Sequence, residues 1–154
     1  MRRTLFLAVA LATVFALVPA GPANALKPVG VRGHDVFDID FGRGICGFRL
    51  SAHVDNTFYI RMYLNNQGDP VRGRSTGRIF VWFTNGDTGA TRRLAISGPT
   101  FMDADGRIVR GTGSWATFTI DGDFVWATGN MDMDEFGTIL RLRGHQRLVC
   151  DLVS

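Results

Sequence analysis

Residues 48–64 read Phe48-Arg49-Leu50-Ser51-Ala52-His53-Val54-Asp55-Asn56-Thr57-Phe58-Tyr59-Ile60-Arg61-Met62-Tyr63-Leu64. Apolar side chains fall on every second position, the period that puts one face of a β-strand in a core and the other in water. Turn-forming residues interrupt the run at Asp55-Asn56-Thr57, which predicts a hairpin between two amphipathic strands. Parity selects its loop. A two-residue turn would set Ala52 opposite Tyr59 and join a core face to a polar one. A three-residue loop at 55–57 instead pairs Val54 with Phe58, Ala52 with Ile60, Leu50 with Met62 and Phe48 with Leu64. His53 then faces Tyr59, and Arg49 faces Tyr63.

The same pattern extends along most of the chain, and helical periodicity is nearly absent. A five-residue loop at Asn85-Gly86-Asp87-Thr88-Gly89 would pair Phe80 with Leu94 and Arg78 with Ile96, with Phe80, Trp82, Leu94 and Ile96 sharing one face. Ile79, Val81 and Phe83 occupy the other face, so residues 79–83 read as a central strand buried on both sides. Further turns are signalled at Asp103-Ala104-Asp105-Gly106 and Asp121-Gly122-Asp123, and the Gly-rich stretches 67–77 and 127–137 read as longer loops. The segment Gly144 to Ser154 reads as a strand or a short helix. Eight or nine short strands with no βαβ pattern predict an all-β fold, an antiparallel β-sandwich or a closed β-barrel.

The N-terminus carries Arg2 and Arg3, an apolar stretch from Leu5 to Pro19 and the small residues Ala23-Asn24-Ala25. This is the layout of a signal peptide cleaved after Ala25, so residues 1–25 are expected to be removed and 26–154 to form a single all-β domain of a secreted or cell-envelope protein. The apolar stretch is short for a membrane span, and no later segment replaces it. Of 17 Lys+Arg, two fall in the signal; the remaining 15 face 14 Asp+Glu, a net charge of +1. That near balance argues against nucleic acid as the partner. The two cysteines, Cys46 and Cys150, stand near opposite ends, and in an oxidising compartment they are expected to close a disulfide.

Chemistry is sparse. His34, His53 and His145 are isolated, so no metal or cofactor is expected. Asp103-Ala104-Asp105-Gly106 and Asn130 to Glu135 repeat oxygen ligands as calcium loops do, but Arg107 takes a ligand position of the first and Glu135 the place of the turn glycine in the second. Glu135 is the only glutamate available for a carboxylate pair. What remains is the polar face of residues 49–63, where Arg49, His53, Tyr59, Arg61 and Tyr63 would be neighbours, with His53 among arginines. Tyr and Arg offer flat apolar area with hydrogen-bonding tips, so this face is the candidate binding site. The reading is a non-catalytic binding protein for an unidentified ligand, surface polymer or protein. Its alternatives are a β-barrel enzyme acting on an apolar small molecule in a lumen, and a structural envelope protein.

Gly44-Ile45-Cys46-Gly47-Phe48, the loop Asn85-Gly86-Asp87-Thr88-Gly89 and the late Val149-Cys150-Asp151-Leu152 together resemble a loose group of small secreted proteins of high-GC Gram-positive bacteria. The chain departs from that pattern in placing its acidic residue after Cys150 rather than before. The resemblance implies secretion and the disulfide, and carries over no active site.

Overall fold

The computed structural model describes residues 26–154; the predicted signal peptide and its cleavage after Ala25 lie outside the described residues. The elements run β1 (Val29–Gly42), β2 (Leu50–Leu64), β3 (Pro70–Asn85), β4 (Thr91–Ser97), β5 (Thr100–Met102), β6 (Ile108–Phe118), β7 (Phe124–Met133), β8 (Ile139–Leu148) and α1 (Val149–Leu152). All strands are antiparallel in one sheet of order β1-β2-β3-β5-β6-β7-β8, with β4 paired to the far end of β3. The all-β class is as expected, and the sheet is open rather than closed.

The hairpin at Asp55-Asn56-Thr57 does not form. Residues 50–64 make one strand, in which Asp55, Asn56 and Thr57 pair with Val36, Asp35 and His34 of β1 and with Phe80, Ile79 and Arg78 of β3. Parity could not separate the two arrangements, because a loop of odd length leaves positions 54 and 58 on the same face as an unbroken strand does. Ladders on both sides hydrogen-bond the Asp55–Thr57 backbone and remove the need for a turn.

The β3–β4 register differs by one residue from expectation. Val81 pairs with Leu94, Ile79 with Ile96 and Thr84 with Thr91, so Val81 and Phe83 share the core with Leu94 and Ile96, while Phe80 and Trp82 face outward. The reason lies in the loop: Asn85 N–H donates to Ala90 O, which closes a loop of four residues, 86–89, in place of the expected five, and Asn85 Oδ1 accepts from the N–H groups of Asp87 and Thr88. The stretches 67–77 and 127–137, expected as loops, lie mostly within β3 and β7.

Four hairpin connections repeat one device, at Asn65–Asp69, Asp103–Arg107, Thr119–Asp123 and Asp134–Thr138. In each, the first residue's N–H donates to the fifth residue's carbonyl, and the fourth residue, a glycine such as Gly106 at φ +81, donates back to the first. This is a three-residue loop closed by a glycine in the left-handed region. Asp103 Oδ1 and Asp134 Oδ1 each accept two backbone N–H groups of their own turn, which accounts for the calcium-like spacing without an ion.

Glycines also form a line across the strands. Gly113 pairs with Gly129 and Gly129 with Gly144. Gly98 abuts Gly113, and lies between the residues of β4 and β5 that pair on either side of Gly77. A Cβ on any of the five would overlap a backbone carbonyl of the neighbouring strand. Side-chain alternation carried along the ladders from Phe83 would place Phe124 on the opposite face, yet their rings stand 5.6 Å apart in one core. The sheet therefore turns over along the glycine line. The first half of β7 is consequently buried on both sides, with Phe124 and Trp126 in a cluster around Leu50, Val81 and Phe83, and Val125 and Ala127 in a second around Met131, Met133 and Ile139.

One end of the fold is stapled. Cys46, after β1, and Cys150, in α1, form the expected disulfide with Cα atoms 5.3 Å apart. Val149 and Val153 beside it are buried, and Asn85 Nδ2 donates to Val153 O at 3.2 Å. Arg43 grips Asp87 through two hydrogen bonds of 2.7 and 2.8 Å.

Two outcomes follow. Gly144→Ala, with no room for a Cβ, should destabilise by more than about 2 kcal/mol in urea titration, whereas Gly106→Ala, in open space, should cost only the left-handed penalty of about 1–2 kcal/mol. Equal costs would remove the glycine line as a constraint. Replacing Cys46 and Cys150 together by Ser should lower stability by about 2–5 kcal/mol, and an unchanged urea midpoint would show that the bridge does not restrain the unfolded chain.

Candidate functional site

Odd-numbered residues of β2 point away from the core, which places His53, Tyr59, Arg61 and Tyr63 on the outer face of the sheet. Because β2 is continuous, His53 and Tyr59 are about 20 Å apart along the strand rather than opposed. The five candidate residues thus separate into two groups.

Arg49 and His53 belong to the first. Arg49 precedes β2 and donates from Nη2 to Asp40 Oδ2 at 2.6 Å. The Arg49 guanidinium, followed by the Gly42 N–H, holds the Asp40 carboxyl below its ordinary value. His53 does not lie among arginines: its Nδ1 is 2.7 Å from Asp38 Oδ1, and its ring centroid is 5.5 Å from that of Trp82. Both side chains are engaged by carboxylates of β1.

Tyr59, Arg61 and Tyr63 form the second group, and neighbouring strands add to it. Arg32 of β1 stands opposite Tyr59; Arg74 and Arg72 of β3 stand opposite Arg61 and Tyr63. Arg32 and Arg61 lie over the Tyr59 ring at 5.2 and 5.3 Å, and Arg72 over Tyr63 at 5.0 Å, all within cation–π range. Tyr59, Arg61, Tyr63, Arg74 and Thr76 line a shallow depression of about 200 Å³.

The motif continues across the sheet. Arg78 and Arg93 cover the Phe80 ring at 5.5 and 3.8 Å, Arg93 also reaches Trp82 at 5.4 Å, and Arg74 and Arg110 flank Phe101 at 5.8 and 4.4 Å. Seven arginines and five aromatic rings thus interleave on one face. Among the described residues, the ion pairs involve Arg43, Arg49, Arg107, His34 and His53, and none of those seven arginines. Stacking on rings leaves the guanidinium edges, with their fork of donors, free for an anion.

Arg72 and Arg74 escaped the sequence reading because they stand in the Gly-rich stretch taken for a loop. The alternation Val71-Arg72-Gly73-Arg74 was the signal available. Gly73 is buried because Met62 and Met102 fill the place of its side chain. Among the described residues, no three His, Cys, Asp or Glu side chains converge as metal ligands, and no helix is long and apolar enough to cross a membrane. Comparison with protein-family models, with curated proteins and with solved structures finds no match for this chain.

The Asp40–Arg49 pair supplies a check on the first group. A carboxyl with a depressed pKa contributes stability above its unfolded value and loses it as pH falls through the folded one. In an NMR titration the Asp40 carboxyl should turn below 3.8, and Arg49→Ala should move the midpoint up towards that value. An unmoved midpoint would mean that the pair is not formed in solution.

Proposed function

We propose that this chain is a non-catalytic binding protein, secreted after removal of residues 1–25, that holds an acidic carbohydrate polymer of a cell surface on the outer face of its sheet. The observation that carries the reading is the array of seven unneutralised arginines interleaved with Tyr59, Tyr63, Phe80, Trp82 and Phe101. Paired strands repeat at about 4.8 Å and same-face residues at about 6.8 Å, so the cations form a grid suited to a ligand with charges repeated along its length rather than to a single small anion. Aromatic rings between the cations offer flat apolar area for sugar faces. The disulfide fits an oxidising, extracellular setting. The secreted group that the chain resembles accords with the same placement.

A net charge near zero does not oppose this reading. Asp69, Asp87, Asp103, Asp105, Asp121, Asp123 and Glu135 sit in connections between strands. Of the acids at outer-face strand positions, Asp38, Asp40 and Asp55 are engaged by His53, Arg49 and His34, while Asp132 stands opposite Arg110. The cationic face acts over about 8 Å at physiological salt, so acids at the sheet's ends screen it only at its margins.

Retention on immobilised polygalacturonate, with neutral dextran as control, tests the reading. The chain should bind the acidic polymer alone and elute as salt is raised. Arg61→Ala with Arg74→Ala should weaken binding at least about tenfold, the loss of two charge-assisted contacts. Tyr59→Ala and Tyr63→Ala should each cost about 1 kcal/mol of stability or less, as exposed strand positions do, while weakening retention. Flow-through of the unmodified chain at low salt, or tighter binding of single-stranded DNA than of polygalacturonate, would overturn the assignment.

A further inference from the structure

The opposite face of β2 carries a second feature, independent of the arginines. A cavity of about 300 Å³, open to solvent, lies over the inner-face residues of β2 beyond Val54. Phe58, Ile60, Ile79, Ile96, Met102 and Trp115 supply its apolar walls. Gly77 and Gly98, of the glycine line, form part of the lining.

Within this wall stands Asn56, the residue that looked like the centre of a turn. Its neighbours in the ladder are Asp35 and Ile79, and strand alternation turns its side chain inward with Val54 and Phe58. Its Oδ1 is buried and has no hydrogen-bond partner within the protein. A buried acceptor left unpaired is rare in folded proteins and calls for an explanation. An amide placed at the wall of an apolar cavity is the usual means by which a binding site orients a ligand.

We propose that this cavity binds a small, largely apolar molecule carrying one hydrogen-bond donor, a hydroxyl or an N–H, which it presents to Asn56 Oδ1. Volume sets the size: a cavity of about 150 Å³ accommodates benzene, so this one suits about twice as many atoms, a fused two-ring compound or an equivalent chain. The donor is required by Asn56, and the apolar body by the isoleucines, Phe58 and Trp115. The lining offers an amide, the hydroxyl residues Ser75, Thr76, Ser97, Thr100 and Ser114, and an indole, but no carboxylate, imidazole, amine or thiol. The site therefore holds its ligand without transforming it by acid–base or nucleophilic chemistry.

Calorimetric titration with 2-naphthol and with 2-methoxynaphthalene, which keeps the rings and loses the donor, tests the proposal. The unmodified chain should bind 2-naphthol at least about tenfold more tightly. Asn56→Leu should erase that preference by weakening 2-naphthol alone, while its thermal midpoint holds or rises because an unpaired buried acceptor has gone. Ser75→Phe, which fills the cavity from β3, should abolish binding of both compounds. Absence of 2-naphthol binding by the unmodified chain would overturn the proposal, and so would an Asn56→Leu variant that keeps the preference. Neither variant touches the outer-face arginines, so failure here leaves the polymer reading as it stands.

Discussion

Contact between bare backbones, strand against strand at Gly77, Gly98, Gly113, Gly129 and Gly144, is the constraint on which the other features rest. Strands of 10 to 16 residues such as β2, β3 and β7 are too long to stay flat over one core, since twist carries their ends away from each other. A line of residues without Cβ lets the sheet turn over, so that a single sheet supplies both layers. The two hydrophobic clusters meet at the first half of β7, whose alternate residues serve one cluster each. The cavity at Asn56 lies beside this line, with Gly77 and Gly98 in its lining.

Turning the sheet over also gives its two faces opposite characters. The inner face of β2 is apolar and interrupted by one amide, whereas the outer face is built of guanidinium groups stacked on rings. Each arginine here lies over an aromatic side chain of its own or a neighbouring strand, which orders the long side chain without neutralising it. Carboxylates take a different role. Asp103 and Asp134 bind the backbone of their own turns, while Asp38 and Asp40 hold His53 and Arg49 at the far end of β2. A polypeptide of almost balanced charge thereby presents a strongly cationic surface.

Three short motifs of the sequence converge in space. The turn around Cys46, the loop Asn85–Gly89 and α1 with Cys150 meet at one end, joined by the disulfide, by the Arg43–Asp87 pair and by Asn85 reaching Val153. Asn85, almost wholly buried, satisfies both ends of its amide there, with Oδ1 in its own loop and Nδ2 on the C-terminal segment. These motifs hold one end of the fold together.

Several features were legible in the residues alone, because they depend on neighbours in the chain. Period-two alternation determined the all-β class, Asp-x-x-Gly and related spacings determined the turns at 103–107 and 119–123, and the chain's two cysteines pointed to the bridge. Tertiary pairing decided the rest. Asp55-Asn56-Thr57 has turn chemistry, yet β1 and β3 bond to both sides of its backbone and keep it extended. Loop closure between Asn85 and Ala90 moved the β3–β4 register by one residue and exchanged Phe80 and Trp82 for Val81 and Phe83 in the core. The candidate site followed the same division: Tyr59, Arg61 and Tyr63 were visible as alternate residues of one strand, but Arg32, Arg72 and Arg74 join them only across ladders. Local alternation specifies which side of a strand a residue takes, and only the partners of that strand decide what stands beside it.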